Sequence, residues 1–167
     1  MSVLRTIVLA GAVAVVAVPP ATAQAKPRVH TLKLVAPAAT VERAFDDVLP
    51  EGKSKGDAFI SSSELRNRAG KVVGKHDLVC RIIDEDDGGS ARSICTSVTT
   101  ITGQGQIVAV GTVRPIPTTM VKGPFGIAPT EETSAIVGGT GKYLAARGEV
   151  VSDRTDTERT LTFRYMR

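Results

Sequence analysis

Val72-Val-Gly-Lys-His-Asp-Leu-Val-Cys-Arg-Ile-Ile83, then Asp84-Glu-Asp-Asp-Gly-Gly-Ser90, then Ala91-Arg-Ser-Ile-Cys-Thr-Ser-Val-Thr-Thr-Ile101 is the stretch that decides the fold class. Both arms alternate apolar with polar residues and are rich in Val, Ile and Thr, the pattern of half-buried strands. The acidic, glycine-containing segment between them is a turn. A hairpin centred between Asp87 and Gly88 sets Cys80 opposite Cys95. In that register His76, Leu78, Cys80, Ile82, Ser93, Cys95, Ser97, Thr99 and Ile101 share one face, and Lys75, Asp77, Arg81 and Arg92 share the other. Because side chains alternate with a period of two, the charged face is expected outside and the apolar, hydroxyl-dotted face inside.

Working outward, the same short β-branched runs recur. They cover 41–48, 57–65, 72–83, 91–101, 105–113, 132–138, 147–154 and 159–166, which makes eight expected strands, and 31–36 extends or precedes the first. No long stretch has helical periodicity. Asn67-Arg-Ala-Gly70, Asp86-Asp-Gly-Gly89 and Thr102-Gly-Gln-Gly105 are tight connections, so neighbouring strands pair antiparallel. Residues 114–130 hold Pro115, Pro117, Pro124 and Pro129 and read as a loop over one mouth of the fold. The expected architecture is all-β, a closed eight-stranded antiparallel barrel or a sandwich. A barrel of that size has an interior for packed side chains or one small ligand. The inward set adds Asp57, Phe59, Ser61, Ser63 and Leu65 from one strand and Leu161, Phe163 and Tyr165 from the last. Such a lining suits a small-molecule cavity; the plainer alternative is a filled barrel whose hydroxyls bond to the backbone.

The first residues are an address. Arg5 precedes an apolar run from Thr6 to Val18, followed by Pro19-Pro20 and Ala21-Thr-Ala-Gln-Ala25. This is the layout of a secretory signal peptide over residues 1–25, cleaved after Ala23 or Ala25. The run falls short of the ~20 residues of a membrane span, although an uncleaved anchor is the alternative. Residues 26–40 read as a lead-in and 41–167 as the folded domain. Export permits a Cys80–Cys95 disulfide, the alternative being two buried thiols.

Composition excludes several classes. The 167 residues carry a formal net charge of only +4, with four Phe, two Tyr and no Trp, too few for a nucleic-acid stacking platform. Gly138-Gly-Thr-Gly-Lys142 fails as a phosphate loop, with Ile136 where Gly belongs and Tyr143 where Ser or Thr belongs. As a dinucleotide fingerprint it fails at Leu144, and it reads instead as a tight turn needing positive φ. The acidic run from Asp84 places Cys95 at position twelve of an EF-hand loop, so it reads as a solvated hairpin tip. His30 and His76 are the only histidines and form no zinc cluster, so no metal site is expected. Ser61-Ser-Ser63 lacks a nucleophile elbow, and 153–159, with its alternating charges, reads as a solvated turn.

Ile136-Val-Gly-Gly-Thr-Gly-Lys-Tyr-Leu-Ala-Ala-Arg-Gly-Glu-Val150 resembles the signature of dirigent proteins and allene oxide cyclase-like barrels: an aliphatic residue, Gly-Gly-Thr-Gly, an aromatic, then Ala-Arg-Gly. Ala44-Phe45-Asp46-Asp47, Gly56-Asp57-Ala-Phe59 and the 67–74 hairpin fall in matching order, so the resemblance covers about 40–166. It implies a calycin-like eight-stranded barrel, trimeric in many plant members, that orients a reactive molecule for cyclisation or stereoselective coupling. It implies no metal or organic cofactor, and an isomerase or cyclase if the chain is an enzyme. By position, Asp47 and Arg147 are the expected acid/base pair; Asp57, Phe59, Ser61, His76, Ser97, Thr99, Phe163 and Tyr165 line the cavity; Gly138, Gly139, Thr140, Gly141 and Tyr143 form the family turn. The structural alternative for Asp47 and Arg147 is an ion pair or a capped barrel end. Asp46 departs from the plant pattern, which often has histidine there, and the scarcity of aromatics argues against a phenolic substrate. The reading is thus a secreted barrel for a small apolar or amphipathic ligand, with no nucleic acid and no membrane span after cleavage. Its alternatives are a lipocalin-like carrier or a structural interaction domain.

Overall fold

Alternation becomes a closed wall. The computed structural model describes residues 28–48, 50–51, 54–85, 91–113 and 132–167. The expected signal peptide, the tip of the central hairpin at 86–90 and the proline-rich 114–130 segment lie outside the described residues. The strands are β1 (His30–Pro37), β2 (Glu42–Asp46), β3 (Ala58–Arg66), β4 (Val72–Glu85), β5 (Ala91–Ile101), β6 (Gly105–Val113), β7 (Glu132–Gly139), β8 (Arg147–Arg154) and β9 (Glu158–Met166). All pairings are antiparallel, in the order β1-β9-β8-β7-β6-β5-β4-β3-β2. Val35 of β1 also stands opposite Arg66 of β3, which closes eight strands into a barrel and leaves β2 as an extra strand on β3.

The closing strand comes from the 26–40 stretch expected as a lead-in. β1 pairs along its whole length with β9, from His30 opposite Tyr165 to Pro37 opposite Glu158. Pro37 ends it, and a 3-10 turn at Ala38–Thr40, where the Thr40 hydroxyl donates to the Pro37 carbonyl at 2.9 Å, moves the chain over to β3. The run expected at 41–48 therefore becomes β2, alongside the barrel wall and outside the closed ring.

The central hairpin has the expected register from Gly74 to Ile82, and an irregularity between Ile82 and Asp84 shifts it by one residue toward the tip. Cys80 faces Cys95, the two Cα atoms are 4.0 Å apart, and a disulfide joins them. His76, Leu78, Cys80, Ile82, Cys95, Ser97, Thr99 and Ile101 are buried, whereas Lys75, Asp77, Arg81 and Arg92 are exposed. The shorter turn at Asn67 has a local cause: its side-chain oxygen accepts the Ala69 and Lys71 amides at 3.0 and 3.1 Å, an Asx turn.

At the His30 end the interior is filled. Leu34, Leu65, Ile101, Ile107, Ile136, Tyr143, Leu161, Phe163 and Tyr165 form one apolar cluster. Each such large side chain contributes about 1.5–3 kcal/mol on burial. The Gly-Gly-Thr-Gly segment is its plug. Gly141 sits at φ +57, which a residue with a Cβ adopts only at a cost. A Cβ at Gly139 would overlap the Gln106 carbonyl and the Tyr143 backbone, so the chain folds tightly against β6 here. Tyr143 then enters the barrel end, stacks edge-on against Tyr165, and donates its hydroxyl to Gln104 at 3.0 Å.

Disulfide removal is the direct check on the hairpin. Replacing Cys80 and Cys95 together by alanine should lower the unfolding free energy by about 3 kcal/mol in urea titrations, the value expected for closing a short loop. The unreduced wild-type protein should take up no alkylating reagent.

Candidate functional site

The other half of the interior is polar. Inward positions of β4, β5, β7, β8 and β9 bring His76, Ser97, Glu132, Ser134, Ser152 and Arg159 to a cleft walled by Leu78, Cys95, Val113, Val150 and Leu161. The free space is about 20 Å³, enough for roughly one water molecule. Val113 and Glu132, at its rim, are the residues from which the 114–131 segment leaves and to which it returns. A second, smaller groove adjoins it through Leu78 and Arg159 and opens to solvent between Val41, Arg43, Phe59, Ser61 and Arg154.

One chain of donors organises the cleft. Arg159 donates from Nε to the Ser152 hydroxyl at 2.6 Å, and its Nη1 approaches His76 Nε2 at 3.5 Å. A guanidinium only donates, so Nε2 carries the lone pair and His76 donates from Nδ1 to Thr99 Oγ1, at 2.9 Å. Burial, reinforced by the positive charges of Arg159 and Arg154, pushes the imidazole pKa down to about 3, so His76 is neutral at physiological pH. Burial and then the neighbouring Arg154 also lower the Arg159 pKa, but a guanidinium this basic stays protonated at neutral pH.

Beside it lies a buried ion pair. Arg154 donates from Nη2 to Glu132 Oε2 at 2.8 Å, with the two side chains only 3% and 15% exposed. Arg154 Nε and Nη1 and Glu132 Oε1 are buried without a hydrogen-bond partner among the described residues. Burial lowers the Arg154 pKa, Glu132 opposes that, and Arg43 adds to it.

The sequence-derived residues divide accordingly. His76 and Ser97 line the cleft, Thr99 holds His76, and Phe59 and Ser61 line the adjoining groove. Phe163 and Tyr165 face inward but belong to the apolar plug at the opposite end. Asp57 is fully buried yet borders neither the cleft nor the groove: its carboxylate accepts the Val48 and Ser54 amides at 2.9 and 2.6 Å and the Ser54 hydroxyl at 3.1 Å. Desolvation raises its pKa, but these three bonds outweigh that and hold it below the usual value. Asp57 is therefore a staple for the 48–57 loop. Gly138, Gly139, Thr140, Gly141 and Tyr143 form the closing turn and border neither opening.

Asp47 and Arg147 are not brought together. Arg147 opens β8 opposite Met166, at the His30 end, and donates to the Ala146 carbonyl at 2.7 Å. Asp47 follows β2, beyond the Pro37 end. The eight residues of β1, at ~3.3 Å each, lie between those ends. Both residues are exposed and neither borders the cleft. The carboxylate–guanidinium pair expected inside the barrel is instead Glu132 with Arg154.

Sequence reasoning missed Arg154, Arg159 and Glu132. The 153–159 segment was expected to be a solvated turn, and its centre is exposed, but Arg154 is buried and Arg159 half-buried. The signal was parity. Arg154 continues the inward series Val150 and Ser152, Arg159 begins the series Leu161, Phe163 and Tyr165, and Glu132 shares its face with Ser134 and Ile136.

Solved structures share this architecture. A pyocyanin demethylase superposes with TM-score 0.57 at 24% identity, over 79% of this chain and 98% of that one. The Diels–Alderase AbmU from Streptomyces koyangensis gives 0.59 at 17%, over 83% of this chain and 63% of that one, so this chain spans less than two thirds of its length. A pterocarpan synthase dirigent protein gives 0.58 at 13%, over 90% and 95%. The chain shares the barrel fold of these structures, a dirigent protein among them. No protein-family model matches the sequence, and no curated protein matches it. In this barrel Arg154 and Arg159 lie at the end away from the glycine-rich plug.

Two measurements probe the site. Glu132→Ala strands the Arg154 charge and should cost about 3–5 kcal/mol in urea unfolding, whereas Glu132→Leu with Arg154→Met together should be near neutral. For His76, the unfolded imidazole binds a proton below pH ~6.5 and the folded one only near 3. Between those values the unfolded chain holds more protons, so stability should fall as pH falls, by up to ~1.4 kcal/mol per pH unit. His76→Gln should flatten that part of the stability–pH curve.

Proposed function

We propose that this is an exported barrel that holds a small apolar or amphipathic molecule in the cleft beneath Val113 and Glu132 and orients it for cyclisation or stereoselective coupling. The observation that carries the reading is a fixed polar set, Ser152–Arg159–His76–Thr99, facing apolar walls inside the barrel. Leu78, Val150 and Leu161 give the substrate its shape-selective contacts. Arg159, anchored by Ser152, is aimed at oxygen on which negative charge develops, such as a carbonyl, an epoxide or a quinone methide. Neutral His76 holds the guanidinium in position through its lone pair. Asp47 and Arg147 have no part in this scheme, because neither borders the cleft. Export is supported by the leader-like first residues and by the disulfide, which an oxidising compartment permits. Among the described residues no helix is long and apolar enough to cross a membrane.

The test is stereochemical. Purified protein is incubated with a metabolite extract and the products are resolved by chiral chromatography with mass detection. One cyclised or coupled stereoisomer should appear only with folded protein, and Arg159→Gln should reduce it about 10²-fold, the usual effect of removing one oxyanion donor. Equal product from Arg159→Gln, or an isomer ratio unchanged by the protein, would sink the proposal.

A further inference from the structure

Among the described residues, two arginines and one ion-paired carboxylate meet at the polar end of the interior. Arg154 and Arg159 both reach the groove that opens beside the cleft, and Glu132 is the one carboxylate ion-paired there among the described residues. Arg43, on β2, stands at the mouth of the same groove and lies close enough to depress the Arg154 pKa. Arg154 is 4% exposed, yet its Nε and Nη1 protons have no acceptor among the described residues. A buried guanidinium with free donors is costly unless something accepts them. The groove is open to solvent on one side, so an acceptor reaches those donors from outside. Its remaining walls, Val41, Phe59 and Leu78, are apolar and lead outward to solvent.

We propose that this groove is a carboxylate-binding subsite: the carboxylate head accepts the Nε and Nη1 donors of Arg154, and its apolar tail lies along Val41, Phe59 and Leu78, which leaves Arg159 to the reacting end of the molecule. Geometry selects the head group, because a guanidinium presents paired donors in a plane that matches the two oxygens of a carboxylate. Ser61, half-buried on the same wall, is a further hydroxyl for that head group. The inference rests on the small-molecule reading above and narrows it, since the molecule steered in the barrel then carries a carboxylate.

Calorimetric titration of the full exported protein with hexanoate, hexan-1-ol and hexylamine tests it. Hexanoate should bind at least about tenfold tighter than hexan-1-ol, a difference of ~1.4 kcal/mol, and hexylamine weakest of the three. The paired replacement Glu132→Leu with Arg154→Met removes the Arg154 donors and should bring the affinity for hexanoate down to that for hexan-1-ol. Arg43→Gln, at an exposed position, should weaken hexanoate in the same direction and serves if the paired variant does not fold. Equal affinity for hexanoate and hexan-1-ol in the wild type overturns the carboxylate subsite and leaves the cavity reading intact. Binding of neither also overturns it, and the stereochemical experiment then decides the cavity reading independently.

Discussion

A sheet that closes on itself takes away a freedom that an open sheet keeps: every second side chain of every strand must go inside. Here closure depends on β1, which pairs along its length with β9 and touches β3 through Val35 and Arg66. Pro37 and the 3-10 turn after it let one segment serve both neighbours. Once the ring is shut, charged residues at inward positions have nowhere else to go. Arg154 and Arg159 flank the β8–β9 turn on inward positions, so the turn itself is solvated while its two flanking guanidinium groups are carried into the barrel. Glu132 is drawn in by the same rule and becomes their counter-ion.

The two ends of the barrel then diverge in character. At the His30 end the glycine-rich turn inserts Tyr143 against Tyr165 and completes an apolar plug. At the Pro37 end the wall is lined by hydroxyls, His76 and the two arginines, with the disulfide and Leu78 as its apolar edge. Apolar packing and buried charge are thus separated along one axis: the glycine-rich turn serves the packed end, and the polar side chains come from the opposite ends of β7, β8 and β9. The solved structures that share this fold have very different named activities, so the fold by itself does not fix an activity.

Much of the architecture was legible because the central hairpin is legible. A period of two in Val72–Glu85 and Ala91–Ile101, with two cysteines to align, leaves a single sensible register. The inward faces of β3, β4, β5 and β9 follow from it by the same parity. The closing strand was harder to see: the prolines and alanines around it weaken its pattern, and its partners lie far away in sequence. The pairing of Asp47 with Arg147 rested on positional resemblance alone, and resemblance says nothing about which barrel end a strand terminus occupies.

Local alternation, turn residues and cysteine spacing determined the strand content, the hairpin register, the disulfide and which residues of the hairpin face inward, because those properties depend on neighbours within a few residues or across one turn. Only the tertiary structure decided that residues 30–37 shut the ring, that Asp57 staples a loop, and that Glu132, Arg154 and Arg159 meet His76 in one buried cleft. Those outcomes depend on where strands from distant parts of the chain terminate relative to one another. That is set by the stagger accumulated around the closed sheet, a quantity that no single segment encodes.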